Sequence, residues 1–157
     1  MGKGLDAEIK RTRRFEVLEE EVHLAILRTA AVLEHAFGQA LKPFGITQTQ
    51  YNVLRILRGA GPGGLCRNEI ATRLIRPVPD VTRLLDRLTD MDLTGRQRRD
   101  TDRRLVRTEI TTAGLELLAR LDAPMAAIHR HRLAHIPPGT LRALADALTL
   151  VRQGDSA

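Results

Sequence analysis

The chain has 157 residues, 43% of them hydrophobic and 28% charged, with a net charge of +6 and an isoelectric point near 10.6. That size and balance suit a single folded domain and exclude a disordered chain, while the basic excess calls for a polyanionic partner. Aromatics are only 3%, which argues against a stacking platform for single-stranded nucleic acid, and the lone Cys66 cannot form an intrachain disulfide. The composition fits a reducing cytoplasm. No apolar run approaches a membrane span, and `MGKGLDAEIKRTRRFE` lacks the apolar core of a signal peptide.

Residues 14–41 read as one long helix. Phe15, Leu18, Val22, Ile26, Leu33, Phe37 and Leu41 fall at helical spacing, with Leu24, Leu27, Ala31 and Val32 widening the stripe. So wide a stripe implies burial against a second surface, such as another subunit. `KPFGIT` ends the helix. A second helix follows, with Thr47 as N-cap and Gln50 at capping-box spacing. `GAGPGG` at 59–64 breaks the chain, and Leu65 and Cys66 suit a short extended piece.

`RNEIATRLI` forms a short helix with Ile70, Ala71, Leu74 and Ile75 facing inward, and `RPVP` turns the chain. The next helix spans 79–91, with Pro79 in its first turn and an apolar stripe of Val81, Leu84, Leu85, Leu88 and Met91. Residues 93–98 and 104–110 can be paired strands, and `RLVRTEI` at 104–110 alternates with the period of a strand. `TTAGLELLARLDAPMAAIHRHRLAHI` is a helix kinked or interrupted near Pro124, and a last helix covers about 138–153.

Two short helices joined by a tight turn, then a β-hairpin, make a winged helix-turn-helix in a mainly α chain. The helix at 79–91 would enter a major groove, and the hairpin would be the wing. Six arginines fall between Arg96 and Arg107. In a solvated loop they would be unremarkable. At a wing they have a use, because the minor groove is narrow, negative and receptive to guanidinium. Arg96, Arg98, Arg99, Arg103 and Arg104 are therefore candidate DNA contacts. Asp100 and Asp102 lie among them, and Asp102 is expected to orient Arg104.

Opposite the apolar stripe lie Thr82, Arg83, Asp86 and Arg87. Either arginine suits guanine; Asp86 suits cytosine, an orienting contact to an arginine, or intrahelical pairs with Arg83 and Arg87. Arg73 and Arg76 are candidate phosphate contacts. Asp80, Asp86 and Asp90 make the recognition helix net acidic, which shifts weight onto the wing.

In order along the chain, `FGITQTQYNVLRIL`, `EIATRL`, `VTRLLDRL` and `DRRLVRTEITTAG` resemble the successive motifs of the MarR family of transcriptional regulators, over about residues 44–114. The most specific piece is Asp102-x-Arg104 followed by a strand, Thr111 and Gly114. One departure is clear: the family's Gly-Leu-Val before the wing is Asp92, Leu93, Thr94 here. The resemblance implies one MarR-type domain over 1–157, with a winged lobe at about 46–111 and dimerisation helices at about 14–42 and 112–153. It implies a homodimer on a palindromic DNA operator, usually a repressor, released by a small molecule or an oxidant. It also implies an effector pocket, for which His23, His35, Tyr51 and Arg55 are the polar candidates.

Other residues carry competing readings. Cys66 beside Arg67 at a helix start could be a low-pKa thiol, but a small buried residue fits better. His131 and His135 have the spacing of a metal pair on a helix; no thiol or carboxylate completes a set, and Arg130 and Arg132 would repel a cation. No metal, cofactor or catalytic set is expected, so the chain should not be an enzyme. `KRTRR` at 10–14 reads equally as a DNA arm or a tail. The alternative to DNA binding is a protein–protein module whose basic wing meets an acidic partner. A membrane-surface role fits less well, since the arginines sit in a hairpin.

Overall fold

The computed structural model describes residues 4–99 and 102–154; the side chains of 98, 99 and 102–105 lie outside the described ones. The order is α1 (Leu5–Glu8), α2 (Leu18–Leu41), a 3-10 turn (Lys42–Phe44), α3 (Gln48–Ala60), β1 (Leu65–Cys66), α4 (Arg67–Arg73), α5 (Val81–Asp90), β2 (Thr94–Arg99), β3 (Asp102–Ile110), α6 (Thr112–Leu133) and α7 (Pro138–Gln153). The architecture is mainly helical with one small antiparallel sheet. Two compact units divide it, Met1–Leu118 and Ala119–Ala157. Among the described residues no helix is long and apolar enough to cross a membrane.

The first unit holds the sheet and the helix-turn-helix. Thr47 caps α3: its Oγ accepts from the Gln50 N–H at 3.2 Å, and the Gln50 side chain returns to the Thr47 N–H at 2.8 Å. This fixes the start of a helix whose inner face, Val53, Leu54 and Leu57, is fully buried with Leu41, Ile70 and Leu88. The sheet order is β1-β3-β2. The extended piece at Leu65 and Cys66 is thus a third strand, pairing with Thr108 and Arg107. Gly64 makes that pairing possible. Its φ is +55°, and a Cβ there would collide with the Thr108 carbonyl.

Several boundaries differ from the sequence reading. α2 begins at Leu18, four residues after the expected start. Ahead of it, the Arg11 guanidinium stacks 4.3 Å from the Phe15 ring centre and bonds Glu20 at 2.7 Å, so part of `KRTRR` is held against the helix start. α4 stops at Arg73, and Leu74 turns extended at ψ 135°. Ile75 is therefore 88% exposed rather than inward. Its N–H leaves the helix ladder to donate to Asn52 Oδ1 at 2.9 Å, and Pro77 forbids the residue before it from staying helical.

α5 begins at Val81, not at Pro79, because Asp80 is the cap: its Oδ1 accepts from the Arg83 N–H at 2.9 Å. Met91, expected in the apolar stripe, ends the helix and is half exposed. α6 is not interrupted at Pro124; it runs through to Leu133. In the second unit, α7 matches the expected span.

Candidate nucleic-acid interface

The inner side of α5 is fixed by Leu85 and Leu88, both buried. That phase turns Thr82, Arg83 and Arg87 outward, and all three are exposed. Two of the three acids that make this helix net acidic are engaged locally, while Asp90 is exposed. Asp80 caps the helix. Asp86 pairs with Arg96 of β2, so of its possible partners the structure supplies a wing arginine rather than Arg83 or Arg87.

The wing strand is anchored where it leaves α5. Thr94 is buried, and its hydroxyl lies 3.2 Å from that of Thr89. Thr111 Oγ donates to the Asp92 carbonyl at 2.6 Å and accepts from the Gly114 N–H at 3.1 Å. A Cβ on Gly114 would strike the Leu93 carbonyl, which explains a glycine there. Asp92 itself has φ +57°, a left-handed turn residue. Arg96 pairs with Thr108 in the sheet, and Arg98 with Val106. Backbone positions of Arg98, Arg99, Asp102, Arg103 and Arg104 lie on β2 and β3. Their side chains, the expected Asp102–Arg104 contact and all of Asp100 fall outside the described residues.

Arg107 belongs to the same charged stretch but faces the glycine loop. Its Nε donates to the Gly63 carbonyl at 2.6 Å and an Nη to the Gly64 carbonyl at 2.8 Å. It also lies 3.5 Å from Glu69.

Of the two phosphate candidates, Arg73 is exposed near the end of α4, whereas Arg76 pairs with Glu34 of α2. Arg67 is a residue that sequence reasoning missed. From the first turn of α4 its Nη1 reaches Thr82 Oγ at 3.4 Å, beside the outer face of α5. No linear spacing signals it, since the contact spans 15 residues and arises from the crossing of two helices.

Cys66 is half-buried, not buried. It is the N-cap of α4, with its sulfur accepting from the Glu69 backbone N–H. Glu69 answers by accepting from the Cys66 N–H at 2.8 Å. That N–H, then the Cys66 thiol, holds the Glu69 carboxyl below the usual glutamate range.

The effector candidates do not assemble as a set. Tyr51 is buried, its hydroxyl accepts from Arg55 at 3.0 Å, and the Phe37 ring meets it edge-on at 5.5 Å. His23 and His35 are exposed on α2, roughly 18 Å apart along its axis at 1.5 Å per residue. His131 and His135 do not share a helix: α6 ends at Leu133, and the Ile136 N–H closes a turn on its carbonyl at 3.0 Å. Among the described residues no group of three or more His, Cys, Asp or Glu is placed to hold a metal ion.

With this geometry established, similarity to known proteins is informative. The MarR family model matches residues 46–106, from the last residue before Thr47 into β3. A MarR transcription factor from Planctomyces limnophilus is 36% identical over 87% of this chain and 99% of its own, with a TM-score of 0.66. MepR of S. aureus, solved as a DNA complex, is 23% identical over 83% of this chain and 96% of its own, TM-score 0.76. The organohalide sensing regulator RdhR, solved bound to 2,4-dichlorophenol, is 17% identical over 91% of this chain and 86% of its own, TM-score 0.80. The last two share the fold. No curated protein shows significant similarity to the chain.

Proposed function

The chain belongs to the MarR family of non-enzymatic, DNA-binding winged helix-turn-helix regulators of transcription, and from that premise we propose that it is a homodimeric repressor. It grips a pseudo-palindromic operator and lets go when a small molecule binds. The observation that carries the DNA contact is the outer face of α5. Thr82, Arg83 and Arg87 are exposed there, and a wing starts directly beside them, tied to the helix through Asp86 and Arg96. Arg83 and Arg87 are assigned to base edges. Arg73, Arg76, Arg98, Arg99, Arg103 and Arg104 are assigned to phosphates and the minor groove, with Asp102 orienting Arg104.

The dimer reading rests on apolar side chains left uncovered in a single chain: Leu18, Val22 and Leu27 on α2, and Leu144, Leu150 and Val151 on α7. Neither helix gains from exposing them, and a second copy would cover them. Two-fold symmetry then sets half-sites about one helical turn, ~10 bp, apart. The effector reading draws support from RdhR, a fold relative with a bound phenol. Here Tyr51, Arg55 and Phe37 offer a ring, a hydroxyl and a guanidinium in one place. Release follows if the effector favours a dimer in which the two α5 helices no longer match the operator spacing.

The protein–protein alternative drew on an acidic α5. Asp80 serves as cap and Asp86 is paired to Arg96, which weakens that support. The test is selection of bound duplexes from a random DNA pool, with wild type and with Arg104→Ala. An enriched palindrome, weakened in the variant, is expected. No enrichment and equal weak binding by both proteins would overturn the repressor reading.

A further inference from the structure

Asp86 is an acid on the face of α5 that meets DNA in the function proposed above, and the inference here rests on that reading. It lies one turn from Thr82 and Arg83, on the same side of the helix. A carboxylate there should repel phosphate, so its presence needs a reason. The structure supplies one in the ion pair with Arg96.

Both ends of this pair stand on fixed backbone. Asp86 follows the buried Leu85, and Arg96 lies two residues beyond the buried Thr94, paired in the sheet with the buried Thr108. The two side chains remain accessible, at 47% and 44% of full exposure. A guanidinium presents five N–H donors in a rigid fork, and only one nitrogen of Arg96 meets Asp86. The rest of the fork can take a phosphate oxygen without further ordering of a long side chain. An exposed pair of this kind contributes little to folding.

We propose that Asp86 is a positioning residue: it holds Arg96 in place for a backbone phosphate beside the groove occupied by α5, and so strengthens DNA binding despite its own charge. The sign of its effect is therefore opposite to that of a merely repulsive acid.

The experiment uses the full chain and the duplex enriched by the wild type, titrated at several salt concentrations. The proteins are wild type, Asp86→Asn, Asp86→Ala, Arg96→Ala and the Asp86→Ala/Arg96→Ala double variant. Asp86→Ala is expected to weaken binding roughly tenfold, the size of one charge-assisted contact. The near-isosteric Asp86→Asn should weaken it too, with an unchanged melting temperature. Arg96→Ala should weaken binding similarly and lower the log–log salt slope by about 0.9. In the Arg96→Ala background, removing Asp86 should no longer weaken binding and should tighten it.

The inference is overturned if Asp86→Ala or Asp86→Asn binds as well as wild type while Arg96→Ala weakens, or if the two single losses add in the double variant. A wild type that enriches no duplex would defeat the DNA-binding reading itself, a result distinct from either of these.

Discussion

Arg107 works inside the fold. Its guanidinium holds the carbonyls of Gly63 and Gly64, which present left-handed backbone that would otherwise be poorly anchored. Arg107→Ala should cost about 1.5–3 kcal/mol, the range for hydrogen bonds to a charged group, read from urea denaturation. Asp92 makes the opposite prediction. It sits at φ +57° where the family places glycine, so Asp92→Gly should raise stability by about 1 kcal/mol in the same assay. The six arginines read alike in sequence because charge density is local information. What separates Arg107 from Arg96 is a glycine loop 43 and 44 residues away in one case and a helix 10 residues away in the other. Spacing along the chain records neither. Asp86 shows the same gap: its intrahelical partners were visible, its sheet partner was not.

The start of α3 was legible from its capping chemistry, whereas the Asp80 cap of α5 was read as part of the helix. Thr47 and Gln50 stand three apart, and the box they form is present on both sides. Thr47→Ala should destabilise the protein by about 1 kcal/mol. The second box, Cys66 with Glu69, has the same spacing but escaped notice because cysteine is not a favoured cap residue. It carries a pH signature. Glu69 titrates lower in the folded chain than its ordinary 4.5, so its contribution is present above that value and is lost as pH falls through the lowered one. Glu69→Gln should flatten that part of the acid-unfolding curve while leaving the neutral-pH slope unchanged. Helix ends were harder to read. α4 stops where Ile75 finds Asn52, a tertiary partner, and α6 passes Pro124 although proline supplies no N–H to its ladder.

At the scale of the molecule, the order of elements was legible from period and punctuation: helical stripes, the `GAGPGG` break and the alternation in `RLVRTEI` suffice for a winged helix-turn-helix. The pairing of β1 into the wing was not, since a two-residue strand has no period. The oligomer is the larger inference. Leu150 is 69% exposed on α7, a poor arrangement for a lone chain. Leu150→Glu should turn a dimer into a monomer in sedimentation equilibrium and lower operator affinity with it.

The central claim is that two recognition helices read one duplex as a symmetric pair. The most direct measurement is wild-type affinity for the selected duplex before and after insertion of about 5 bp, half a helical turn, between its half-sites. Affinity is expected to fall to the level of non-specific DNA, because one α5 of the pair would face the wrong side of the helix. Undiminished affinity for the lengthened duplex would contradict it.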